Sequence, residues 1–171
     1  MLSIVWLIFV AIMIAAVVID LMSYRIPNEL VLGLFVLFVV MAAINWTEVA
    51  WLSHVGAAIL VFGAGLFFYA IRQMGAGDVK LLAVVALWSG VFALPYLMVF
   101  VSLCGLIGMF VIVVLRLIVP RLQAIGPSGK QKLPRVLTKG QGIPYAIGIG
   151  PGAIIASASV LYPWASWLWQ Y

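Results

Sequence analysis

The sequence predicts an all-α, polytopic membrane protein with six transmembrane helices. Three observations predict it. Hydrophobic residues make up 67% of the chain and charged residues only 8%, too few to give a soluble domain its polar surface. The uncharged runs match a bilayer core about 30 Å thick, which roughly 20 apolar residues span. The basic residues are gathered into the few places where loops between spans fall.

The elements follow in order. Residues 2–19 form the first apolar run, closed by Asp20. With no Lys or Arg before it and no small-residue cleavage site after it, this run reads as a span and not as a secretory signal. Residues 30–44 form the second, between Asn28 and Asn45, and the third runs from about Val49 to Ile71. Residues 81–115 carry no charge. As one helix they would reach roughly 52 Å, too long for a single span. A helical hairpin fits them, turning near Ser89-Gly90 and restarting at Pro95, a suitable first-turn proline. The last span runs from about Ile143 to Leu168, with Trp164, Trp167, Trp169 and Tyr171 as an interfacial belt.

Charge fixes the orientation. The hairpin places all nine Lys and Arg residues on one side: Arg25; Arg72 and Lys80; then Arg116, Arg121, Lys130, Lys132, Arg135 and Lys139. A single span would split them, so the positive-inside rule selects the hairpin. Both termini then lie outside, and the loops after helices one, three and five face the cytoplasm. Residues 1–171 form one membrane-embedded domain. The net charge of +5 is topogenic, with an attraction to anionic lipid, and does not imply nucleic acid. Cys104 is the lone cysteine, a packing residue that excludes a disulfide framework and a Cys-based zinc site. The fourth helix, from Val79 to about Gly90, spans only some 18 Å, so it starts below the cytoplasmic surface.

The carboxylates are four: Asp20, Glu29, Glu48 and Asp78. Glu48 falls in an outer loop, and Glu29 suits the dipole at the start of the second helix. Asp20 and Asp78 each border an apolar helix on the cytoplasmic side, at similar depth on separate helices. Ionisable groups at membrane depth are costly and usually functional. Either aspartate alone could simply mark a helix boundary; two at matched depth point to chemistry. Metal-free hydrolysis of a peptide bond needs one carboxylate to draw a proton from water and one protonated carboxyl to polarise the carbonyl. No other catalytic set competes. His54 falls near the outer end of the third helix and reads as an interfacial residue, the serines lack a base, and two aspartates without a nearby histidine hold a metal poorly. No metal and no cofactor are expected.

The run Gly75-Ala76-Gly77-Asp78 adds a backbone feature. Glycines permit close approach, bringing Asp78 against the first helix and leaving backbone donors for an extended substrate. Followed by Val79-Lys80-Leu81, it resembles the GxGD signature of the bacterial prepilin peptidases, a signature shared with presenilin-like proteases. The run Asp20-Leu21-Met22-Ser23-Tyr24-Arg25-Ile26-Pro27-Asn28 is similar to the first catalytic segment of that family, and Gly142-Ile143-Pro144-Tyr145 resembles a later segment. The resemblance implies that Asp20 and Asp78 are the catalytic pair of an aspartic endopeptidase in the bacterial inner membrane. It also implies prepilin or pseudopilin substrates with a short basic leader, cut after a glycine and before an apolar helix. Larger members carry a cytoplasmic insertion with paired CxxC motifs and methylate the new N-terminus. This chain has neither, so it resembles the short Flp/Tad type.

The remaining candidates have structural explanations as well. Pro27 restricts the exit from the first helix, and Asn28 is a suitable N-cap for the second. Lys80 either tunes Asp78 or anchors a helix end in the headgroups. Gly148, Gly150, Pro151 and Gly152 interrupt the sixth helix, near Pro144 and Tyr145. Two rival functions remain open from sequence: a small proton- or solute-coupled transporter, and a non-catalytic assembly factor. The transporter lacks a detectable inverted repeat and would not place both carboxylates at a boundary.

Overall fold

The apolar runs become helices because a backbone polar group in lipid has no water to bond and must be satisfied within its own segment. The computed structural model describes residues 2–47, 49–125, 135–138 and 142–158. Among them, the α-helices are α1 (Leu2–Ser23), α2 (Asn28–Ile44), α3 (Trp51–Ala70), α4 (Ala76–Ile125) and α5 (Ala146–Ala158), with a 3-10 turn at Arg135–Leu137. The expected all-helical class is observed. Three helices, α1, α3 and α4, are long and apolar enough to cross a membrane, and α2 and α5 are shorter apolar helices. Six crossings are therefore more than the described helices establish. The expected aromatic belt at Trp164–Tyr171 and the basic residues Lys130, Lys132 and Lys139 lie outside the described residues.

Helix α4 is two arms joined at a break. Gly90 has φ 70° and ψ 168°, a conformation essentially confined to glycine. Its α-carbon also faces α3 so closely that a β-carbon there would lie 3.0 Å from Ser53 Oγ. The contacts of the two arms show that the chain reverses. The first arm starts beside Ile26, near Gly77, and ends beside Ser53 and His54, near Gly90. The second arm returns, meeting α5 in antiparallel order: Val101 against Gly152, Gly105 against Gly148, Gly108 against Ile147. Helix α5 in turn runs antiparallel to α1, joined by Ala146 to Asp20 at one end and by Trp6 to Ser157 at the other. The bundle thus has an aspartate end and a histidine end. The reversal falls at the Ser89-Gly90 position expected from sequence, but the helix resumes at once, leaving Pro95 about a turn into the second arm. That arm also continues to Ile125, so Arg116 and Arg121 lie on a helix instead of in a loop.

The break orphans two backbone groups. In an unbroken helix the Val91 N–H would bond the Leu87 carbonyl. Instead, Val91 N–H donates to Ser53 Oγ at 3.0 Å, and His54 Nδ1 lies 2.7 Å from the Leu87 oxygen. A carbonyl only accepts, so His54 carries its proton on Nδ1. His54 is buried, 6% exposed, with its ring 5.5 Å from that of Phe38. This corrects the expectation of an interfacial residue: the histidine repairs a helix break.

The core is built from Phe9, Met13, Leu34, Leu81, Val85 and Leu97. Trp88 is packed on Phe9 and Phe38, and its indole N–H donates to the Leu34 carbonyl at 3.1 Å. Helix α5 is continuous through Gly148, Gly150, Pro151 and Gly152, against the expected interruption. Close packing is the reason for its glycines. A β-carbon on Gly152 would lie 2.5 Å from Val101 Cα, and one on Gly148 would lie 2.8 Å from Gly105 Cα. Small residues of this kind let helix backbones approach in membranes.

Replacing His54 with leucine leaves the Leu87 carbonyl without that donor. His54→Leu should lower stability by about 1–3 kcal/mol, and His54→Gln, which keeps a donor, should lose less. Thermal denaturation of the protein in detergent micelles measures both. Equal midpoints for His54→Leu and the parent would contradict the role assigned to the imidazole.

Candidate active site

In α1 the buried residues Phe9, Met13, Ala16 and Asp20 follow one another at intervals of three and four, the spacing of a single helix face. An otherwise apolar stripe thus ends on a carboxylate. The helix does not stop at Asp20, as expected from sequence, but continues to Ser23. Tyr24 then turns into the left-handed region at φ 55°, and its N–H closes on the Asp20 carbonyl at 2.8 Å, a common way to end a helix. Asp20 therefore sits within the last turn, facing inward and only 4% exposed. Its Oδ2 accepts the N–H of Ala146 at 3.3 Å. Ala146 is the first residue of α5, where amides lack intrahelical partners and the helix dipole is positive.

Asp78 is likewise placed by a helix start. Helix α4 begins at Ala76, so Asp78 lies in its first turn and not in the preceding loop. Its Oδ2 accepts the Gly75 N–H at 3.2 Å, the back-reaching half of a capping box. The two glycines of the Gly75-Ala76-Gly77-Asp78 run do separate work. A β-carbon on Gly75 would lie 2.7 Å from Asp78 Oδ2 and displace the carboxylate. A β-carbon on Gly77 would lie 3.2 Å from the Ile26 β-carbon and 3.5 Å from its backbone nitrogen. Gly77 therefore lets the start of α4 press on the turn that follows α1. Asp20 and Asp78 are brought to the same end of the bundle, since Gly77, the residue before Asp78, packs on Ile26, in the turn that follows the helix of Asp20.

The other predicted residues lie at the same end of the bundle. Pro27, at φ −60° and ψ 137°, occupies the cap position of α2. Asn28 is therefore not the N-cap expected from sequence. Its side-chain oxygen instead accepts a hydrogen bond from Lys80 Nζ at 3.1 Å, so Lys80 ties the start of α2 to the start of α4. Pro144 is buried, and the Tyr145 hydroxyl donates to the Gln73 carbonyl.

Several participants were not found by sequence reasoning. Tyr24 Oη donates to the Gly142 carbonyl at 3.3 Å, and Arg116 Nη2 reaches the same oxygen at 2.9 Å while its Nε holds the Val136 carbonyl at 2.8 Å. Ala146 and Gln73 contribute main-chain groups, which carry no residue-type signal. Beside Gly75 opens a cavity of about 490 Å³ lined by Tyr69, Ala70, Arg72, Gln73, Met74 and Gly75. It lies on the loop between α3 and α4, at the aspartate end of the bundle.

The type IV leader peptidase family has a model that matches residues 7–112. No curated protein and no solved structure matches the chain. The matched stretch runs from the buried stripe of α1 into the second arm of α4, taking in both aspartates and the glycines that seat one of them. By that match the chain belongs to the type IV leader peptidase family.

Proposed function

We propose that this chain is an aspartic endopeptidase that removes the leader of type IV-like prepilins of the Flp class at the cytoplasmic face of the bacterial inner membrane. The observation that carries the proposal is that Asp20 and Asp78, far apart in the chain, lie at one end of the bundle, where hydrogen bonds and the packing of Gly77 on Ile26 link the segments that hold them. Each is held by a main-chain N–H at a helix start. Membership of a peptidase family favours this reading over the transporter and the assembly factor.

The mechanism follows from the pairing. Two neighbouring carboxyl groups hold one proton between them more readily than none. The ionised member draws a proton from a water molecule, and the resulting hydroxide attacks the scissile carbonyl. The protonated member donates a hydrogen bond to that carbonyl oxygen. Collapse of the tetrahedral intermediate breaks the C–N bond as the proton taken from water passes to the leaving amine. Nothing is consumed but water, and the pair ends as it began.

The first arm of α4 supports the location. Residues 76–89 reach only about 21 Å, short of the roughly 30 Å hydrocarbon core, so Asp78 lies below the level of the surface. Arg25, Arg72 and Lys80 adjoin the aspartate end in the chain, and Arg116 reaches the segment at Gly142. By the positive-inside rule that end faces the cytoplasm and both termini lie outside. The apolar helix of a prepilin lies in lipid against the bundle, with its leader junction entering through the cavity at Tyr69–Gly75.

Asp20→Asn and Asp78→Asn should each abolish leader removal while leaving the protein inserted and expressed. An immunoblot of a co-expressed Flp prepilin measures this. Mature pilin at parental levels in either variant would remove the assignment. Gly77→Val should lower cleavage by about tenfold or more, since an ångström of misplacement is enough to weaken a catalytic pair. Peptide cleavage by the purified variant checks this, and a parental rate would show that close approach to Ile26 is dispensable.

A further inference from the structure

We propose that Tyr145 is a positioning residue, whose hydroxyl locks the start of α5, with the donor for Asp20, onto the loop that presents Asp78. The inference rests on the reading of Asp20 and Asp78 as the catalytic pair. It concerns a segment beyond residues 7–112, the stretch matched by the family.

Hydrogen bonds and one packing contact close a circuit. Asp20 accepts from the Ala146 N–H. Tyr145, the residue before, donates through its hydroxyl to the Gln73 carbonyl. Gln73 stands two residues before Gly75, whose N–H holds Asp78, and Gly77, beside Asp78, packs on Ile26 just after the helix that carries Asp20. The circuit therefore returns to its start, passing through α1, α5, the loop after α3, and α4. Each section is itself restrained. Gln73 N–H bonds the Phe68 carbonyl at 2.9 Å, and Arg72 N–H bonds that of Tyr69 at 2.9 Å. The Gly142 carbonyl, at the head of the α5 segment, is gripped by both Tyr24 and Arg116.

Within this circuit the Tyr145 hydroxyl is the direct tie from the α5 segment to the Asp78 loop. Tyr145 is 49% exposed, so its ring is only half held by burial and the hydroxyl bond adds to that hold. Without that bond, the loop that carries the Gly75 amide loses its tie to the fixed start of α5, and Asp78 can shift relative to Asp20. A shift of about 1 Å in such a pair can cost on the order of a hundredfold in rate. The substitution removes none of the residues that line the cavity, so the effect falls mainly on kcat.

The test uses the full-length protein in detergent micelles and a synthetic peptide spanning a prepilin leader junction. Tyr145→Phe should lower kcat by about ten- to a hundredfold and leave KM within about twofold of the parent. Ala146→Pro, at a first helical position where proline is tolerated, removes the amide that Asp20 accepts and sets a ring carbon against that buried carboxylate, so it should lower kcat at least as much. Thermal denaturation run alongside shows that each variant is folded at the assay temperature. An unchanged kcat in a folded Tyr145→Phe protein, or a raised KM with kcat intact, would overturn the proposal. So would parental kcat in Ala146→Pro, which does not depend on the tyrosine variant folding. Asp20→Asn is assayed beside them. If it still cleaves, the Asp-pair reading fails and this inference with it; if it is inactive while Tyr145→Phe matches the parent, only the inference fails.

Discussion

The structure depends on one constraint: a carboxylate placed among apolar helices must be given hydrogen-bond donors, or it would not remain there. Here the donors are main-chain amides at the starts of helices, where the backbone has N–H groups to spare. Asp20 takes the first amide of α5, and Asp78 takes the amide that precedes α4. Among the described residues, neither aspartate is paired with an arginine or lysine. A salt bridge would commit the charge to a partner, whereas an amide steadies a carboxyl group and leaves its second oxygen for other work. Much of the surrounding architecture serves to bring those helix starts to one place.

The two ends of the bundle solve related problems by opposite means. At the histidine end, α4 breaks at Gly90 so that the chain can turn back, and Ser53 and His54 on α3 satisfy the groups the break exposes. At the aspartate end, unsatisfied amides are retained and given to carboxylates. Glycine contributes at both ends. Gly90 supplies a conformation closed to other residues, and Gly77 supplies room, letting the start of α4 lie on the Ile26 backbone. The seam between α5 and the second arm of α4 is a third use, in which Gly148 and Gly152 bring backbones together deep in the bundle. These contacts fix α5, and with it the amide offered to Asp20.

Much of this was legible in the sequence. The helical class followed from apolar runs, and the turn at Gly90 from a length that no single span could hold. Asp20 and Asp78 stood out because carboxylates are so rare in the chain. What could not be read were interactions made by the main chain. The amide of Ala146 leaves no trace in residue type, and neither does the Gln73 carbonyl that receives Tyr145. Local rules also failed where a tertiary contact took over. Asn28 has the chemistry of an N-cap, yet Lys80 claims its side chain and Pro27 takes the cap. His54 looked interfacial because its partner, a carbonyl orphaned by a break on another helix, is invisible to any pattern along α3. The glycines of α5 read as interruptions because composition alone does not distinguish a flexible helix from a tightly packed one.

The central claim is that two carboxyl groups on separate helices act together through a single shared proton. The most direct measurement is the pH dependence of leader-peptide cleavage by the purified protein in detergent. Shared protonation predicts a bell-shaped profile of kcat/KM, falling on the acid side as the pair gains a second proton and on the alkaline side as it loses its only one. A profile with one limb, or one flat across the range in which the protein stays folded, would contradict it.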